Sequence, residues 1–131
     1  MTLEELKQTA LQMRAQSYCP YSHFAVGAAL ECADGSVFTG CNVENASYPV
    51  GLCAERTAAA KAVSEGHRDF RRIVLAGSSG EFCYPCGMCR QFLAEFAPEL
   101  EVVCLNDQGL SRTLSLQDLL PCSFSGEALG T

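Results

Sequence analysis

The stretch Pro85-Cys86-Gly87-Met88-Cys89 reads as the start of a helix that presents two thiols. Cysteines at i and i+3 of a helix start share one face, so both sulfurs can reach a single ion. The positive end of the helix also favours thiolates. By itself Cys-x-x-Cys fits zinc, a redox dithiol or two packed thiols. Upstream, Arg72-Ile73-Val74-Leu75-Ala76-Gly77 reads as a buried strand. The Cys86 helix is expected to end near Pro98, and residues 101–105 form another strand. A strand-like piece, Ser111–Leu114, follows after a link too short for a parallel crossover, which predicts an antiparallel final pair.

Further out, Cys53-Ala54-Glu55 opens another predicted helix, running to about Glu65 with Gly66 closing it. Its interior, Thr57 to Val63, is small and suits close packing. Residues 25–32 and 36–42 read as strands separated by Ala33-Asp34-Gly35, a hairpin pattern. Residues 43–52 read as a loop. Residues 2–16 read as a helix, with Thr2 and Glu5 at capping-box spacing and Leu3, Leu6, Ala10 and Met13 on one face. A short helix, 115–120, stops at Pro121. The order αββαβαββα predicts an α/β fold, a mixed sheet covered by helices, and 131 residues fit one domain, 1–131.

Composition narrows the function. A net charge of −6 argues against a nucleic-acid track, which needs clustered Lys and Arg. No apolar run is long enough to span a membrane, and the first residues lack the pattern of a signal peptide. Charged residues make up only 18%, which leaves neutral surface suited to self-association. Nine cysteines without a secretion signal imply a reducing, cytoplasmic setting, where spaced cysteines mean metal or catalysis more often than disulfides.

Cys53 could supply a third ligand to Cys86 and Cys89, with Glu55 beside the ion without binding it. Three protein ligands leave tetrahedral zinc one open position for water, and a neighbouring carboxylate suits hydrolysis. Cys83 keeps an alternative open: a closed four-cysteine site, structural and catalytically dead. The Cys83-x₂-Cys86-x₂-Cys89 spacing also opens a ferredoxin-type run, which Leu93 and Ala94 do not complete. Cys19, Cys32, Cys41, Cys104 and Cys122 have apolar neighbours and are expected as small buried hydrophobes; His67 is expected at the surface.

Cys53-Ala54-Glu55-Arg56 and Pro85-Cys86-Gly87-Met88-Cys89-Arg90-Gln91 resemble the signature of the short zinc-dependent cytidine deaminases, in the cytidine/deoxycytidylate deaminase superfamily. Tyr18-Cys19-Pro20-Tyr21-Ser22-His23-Phe24, Gly40-Cys41-Asn42-Val43-Glu44-Asn45-Ala46 and Leu119-Leu120-Pro121 with Phe124 resemble further family segments, in order along most of the chain. The resemblance implies a three-layer α/β/α fold with a five-stranded sheet. It implies one zinc per subunit on Cys53, Cys86 and Cys89, with Glu55 as proton shuttle and Arg56 offsetting thiolate charge. Phe24 would pack against the pyrimidine, Ala54 would contact the substrate, and Asn42 and Glu44 would hold ribose hydroxyls. Ala46 and Tyr48 would reach the sugar's 5′ end from a neighbouring subunit of a homotetramer, and Phe124 would cover the base. The implied reaction is hydrolysis of cytidine and deoxycytidine to uridine and deoxyuridine with release of ammonia, a step of pyrimidine salvage. A deaminase of another aminopyrimidine nucleoside, such as the blasticidin S type, shares the three-cysteine site, and a non-enzymatic zinc module is the rival from another class.

Overall fold

Ile73-Val74-Leu75-Ala76 and Val102-Val103-Cys104-Leu105 are apolar at every position, as strands covered on both faces must be. In the computed structural model, which describes residues 1–130, they lie at the middle of one sheet. Its strands are β1 (Val26–Cys32), β2 (Val37–Cys41), β3 (Phe70–Gly77), β4 (Glu101–Leu105) and β5 (Ser111–Ser115), in the spatial order β2-β1-β3-β4-β5. β1 runs antiparallel to both β2 and β3, β3 and β4 are parallel, and β4 and β5 are antiparallel as expected.

Helix α1 (Leu3–Met13) covers one face, burying Leu6 and Ala10 against Ala29, Val74 and Val103. The other face carries α2 (Ala54–Ser64), α3 (Gly87–Ala94) and α4 (Leu116–Leu119), packed on Leu30, Ile73, Leu75 and Val102. The result is the three-layer α/β/α arrangement with the expected element order.

Two glycines set how closely the layers approach. A Cβ on Gly27 would lie 2.0 Å from the Ala10 carbonyl oxygen, so α1 rests directly on β1. A Cβ on Gly40 would lie 2.3 Å from the Ala54 carbonyl oxygen and 2.7 Å from the Ala58 nitrogen, so the start of α2 is seated on β2.

The structure departs from the sequence reading in several places. The first helix gives way to a 3₁₀ turn over Arg14–Gln16. α3 ends at Ala94, well before Pro98, whose ring disfavours helical backbone at Ala97. The 43–52 loop is laced: Val43 and Leu52 exchange backbone hydrogen bonds of 2.9 Å, and Tyr48–Val50 form a 3₁₀ turn. Burial holds for Cys32 and Cys104, but Cys19 and Cys41 are half-buried and Cys122 is exposed, in left-handed backbone at φ 56°. Apolar neighbours in sequence do not say which way a loop side chain faces. His67 is half-buried, its Nδ1 3.3 Å from the Asp34 carboxylate and its ring against Phe38. Among the described residues no helix is long and apolar enough to cross a membrane.

Candidate metal centre and active site

Cys53 and Cys86 occupy the same local position, the N-cap of α2 and of α3. Both have extended backbone, and neither side chain caps its helix. Cys89 follows in the first turn of α3 and is buried. The three Sγ atoms lie within 4.8 Å of one another, and Cys53 and Cys86 are 3.7 Å apart. Tetrahedral zinc with Zn–S bonds of about 2.3 Å holds its sulfurs roughly 3.8 Å apart. The spacing and the soft donor set both suit zinc. Among the described residues this is the one cluster that could hold a metal ion, and Cys83 is outside it.

Charge at the cluster is uneven. Hydrogen bonding from Cys89, and then from Arg56 and Cys86, pulls the Cys53 thiol down to about 5. The same shared bond, together with burial, pushes Cys89 up. Arg56 Nη2 is 3.8 Å from Cys53 Sγ and 3.4 Å from the Gly51 carbonyl. Glu55, on the first turn of α2, is 4% exposed. Burial lifts its carboxyl to about 7, with the Cys53 thiolate adding to the lift.

A cavity of about 370 Å³ opens over these groups, lined by Phe24, Cys53, Ala54, Glu55, Tyr84 and Cys86 among others. Phe24 lies against Gly77 at the end of β3, where a Cβ would come 2.9 Å from the ring. Cys83 also lines the cavity, but burial pushes its thiol up to about 12, and its N–H is tied to the Leu105 carbonyl at the end of β4. An adjoining cavity of about 510 Å³ shares Cys53 and includes Glu44, Tyr48 and Arg56.

Asn42 and Glu44 brace the loop that carries Phe24. The Val26 N–H donates to Asn42 Oδ1 at 2.9 Å, and Asn42 Nδ2 donates to the Phe24 carbonyl at 2.7 Å. Glu44 accepts the N–H groups of Tyr21 and Ser22 at 3.0 and 3.1 Å, and the Ser22 hydroxyl. That hydroxyl, followed by the two amides, holds the Glu44 carboxyl below its ordinary value. Ala46 and Tyr48 are exposed on the 43–52 loop, and Phe124 is exposed on the C-terminal segment. Neither Ala46 nor Phe124 lines the cavity over the cysteines.

Sequence reasoning missed several supports. The Ser78 hydroxyl accepts the Ala25 N–H at 3.0 Å. Arg112 donates to the Tyr84 hydroxyl at 2.8 Å on the cavity rim. Gln91 bonds the backbone of Phe124. All are bonds between residues distant in sequence, which leave no periodicity to read.

Three thiols converging from two helix starts on a mixed α/β sheet, beside a buried carboxylate, define the site of a single-zinc hydrolytic enzyme. The model of the cytidine and deoxycytidylate deaminase zinc-binding region matches residues 1–105, and the chain belongs to that family. A probable cytidine deaminase of Dictyostelium discoideum is 48% identical over 97% of this chain and 86% of that protein. The cytidine deaminase of Halalkalibacterium halodurans is 45% identical over 97% of each. The crystal structure of cytidine deaminase from Burkholderia pseudomallei superposes with a TM-score of 0.91 at 49% identity, covering 95% of this chain and all of that one. A blasticidin-S deaminase of Bacillus cereus is more distant, at 30% identity over 92% of this chain and 91% of its own length.

Proposed function

We propose that the protein hydrolyses cytidine and deoxycytidine to uridine and deoxyuridine, releasing ammonia, with one zinc per subunit on Cys53, Cys86 and Cys89. The observation that carries this reading is the buried Glu55 carboxyl beside three sulfurs within 4.8 Å of one another. Zinc in such a site lowers the pKa of water, so that a nucleophile forms at neutral pH. Glu55 takes the proton given up by the water that attacks C4 of the pyrimidine. It passes that proton to N3, then takes a second from the hydroxyl now on C4 and delivers it to the exocyclic amine, so that the C4–N bond breaks, C4=O forms and ammonia leaves. A carboxyl with little water around its charge both accepts and returns protons readily. Three thiolates would give a divalent ion one net negative charge. Arg56 and the two helix starts offset that charge.

Phe24 packs against the base, and Ala54 lines the wall beside it. Asn42 and Glu44 hold the sugar hydroxyls while bracing their own loop. Each has hydrogen-bonding capacity left for this, since an amide side chain offers four sites and a carboxylate about four acceptor positions. A site that pairs the sugar discriminates against the bare base. Ala46, Tyr48 and Phe124 serve a neighbouring subunit of a homotetramer. The exposed apolar group of Tyr18, Tyr48, Val50 and Leu52 supports such an interface. The whole chain acts as one cytoplasmic domain.

The test is release of uridine and ammonia from cytidine by the zinc-loaded oligomer, beside a Glu55→Ala protein of equal zinc content. Release by the first and none by the second is expected. No release from the first would move the substrate to another aminopyrimidine nucleoside.

A further inference from the structure

Helix α3 anchors the backbone of an aromatic residue as well as carrying site sulfurs. Gln91 closes both polar atoms of the Phe124 backbone. Its Nε2 donates to the Phe124 carbonyl at 2.8 Å, and the Phe124 N–H donates to its Oε1 at 3.3 Å. The preceding residue, Arg90, donates from Nε to the Pro85 carbonyl at 2.7 Å and from Nη1 to the Leu119 carbonyl at 2.8 Å. Together they tie the helix that carries Cys89 to both ends of the segment 119–124. That segment leaves α4 through Pro121 and turns at Cys122 with φ 56°. A primary amide bonded to both polar atoms of one residue does the work of a paired strand and fixes the direction in which its side chain leaves. The ring on this anchored backbone is 60% exposed. Fixing the backbone under an exposed ring lowers the entropy lost when the ring meets a partner.

We infer that Gln91 is a positioning residue for the active site of the adjacent subunit: it holds Phe124 in the attitude in which the ring closes over the base bound next door. The inference rests on the proposed sharing of sites between subunits. One helix then serves two sites, supplying sulfurs to its own and orienting the aromatic cover of its neighbour's.

Subunit mixing tests this. The Gln91→Ala protein, with zinc content unchanged, is expected to raise KM for cytidine about five- to ten-fold, the size of one or two lost hydrogen bonds, with a smaller change in kcat. Adding Gln91→Ala to Phe124→Ala should change KM no further. In oligomers co-expressed from Gln91→Ala subunits and an excess of Glu55→Gln subunits, only the former turn over. Their neighbours present a Phe124 held by an intact Gln91, so KM should return to the wild-type value. A KM that stays raised in the hybrids overturns the inference, because Gln91 would then act within its own subunit. An unchanged KM in the Gln91→Ala homo-oligomer overturns it as well. Should Phe124→Ala itself leave KM unchanged, the shared-site reading fails and the inference falls with it.

Discussion

Four α-helices start in this chain with nearly the same backbone and two different kinds of side chain. Thr2 begins α1 at φ −74°, ψ 165°, and Ser115 begins α4 at −86°, 141°. Cys53 begins α2 at −77°, 157°, and Cys86 begins α3 at −69°, 167°. The hydroxyl residues cap: Thr2 forms a reciprocal box with Glu5, and Ser115 accepts the Gln117 N–H. The cysteines cap nothing and turn their sulfurs toward each other. Helices that only pack satisfy their own first turn, and helices that build the site forgo that stabilisation so their sulfurs can serve an ion.

The strongest break in this contrast is Cys86→Ser. Serine is a good N-cap, so the metal-free protein should melt no lower than the parent and gain up to about 1 kcal/mol. Zinc affinity should fall by more than the roughly 100-fold that loss of a supporting group costs. Chelator competition and melting in EDTA read the two effects. A serine variant that keeps its zinc would undo the assignment of Cys86 as a ligand.

Gly40→Ala tests the seat of α2 and not its cap. The added methyl meets backbone, so a loss of about 1–3 kcal/mol is expected, with weaker zinc binding as Cys53 is displaced. Gly87→Ala, at the open first position of α3, is the matched control and should cost nothing. Equal melting temperatures for the two variants would show that α2 shifts freely on the sheet.

Thr2→Ala should lower stability by about 1 kcal/mol and leave turnover per bound zinc unchanged, because α1 lies on the face away from the cysteines. Reduced turnover at full zinc would show that the two faces are coupled.

The smallest effect is one of pH. The Thr2 N–H and hydroxyl hold the Glu5 carboxyl below its ordinary value of 4.5. A depressed carboxyl stabilises the folded state fully above its unfolded pKa, and that contribution is lost as pH falls through the lower folded value. Glu5→Gln should therefore narrow the stability difference between pH 6 and pH 3. Parallel acid melting curves for the two proteins would refute the reciprocal bond.

The capping box at Thr2 and Glu5, the helix starts at Cys53 and Cys86, and the antiparallel β4–β5 pair were all readable, because each is encoded within a few residues. Periodicity also gave the element order. Helix ends were harder: α3 stops at Ala94, where nothing as distinctive as Pro98 marks it. The placement of β1 between β2 and β3 depends on contacts far apart in sequence. Residue chemistry and spacing singled out Cys53, Glu55, Cys86 and Cys89, which the structure gathers in one place, whereas Asn42 and Glu44 were singled out only by resemblance and are seen in the structure as braces of residues 21–26. Their bonds to the start of β1 and the loop before it join side chains to backbone across 16 to 23 residues, and no local pattern announces them.

Cys53 and Cys86 are 33 residues apart, and the chain between them makes α2 and the central strand β3. Their sulfurs meet only when β3 has entered the sheet and both helices lie on the same face. The third ligand is then a checkpoint on topology: a half-assembled chain offers only the local Cys86–Cys89 pair, and tight capture, which needs Cys53 as well, reports that the middle of the sheet is in place. Metal starvation would accordingly be felt first by newly made chains, and far less by those already closed around their ion.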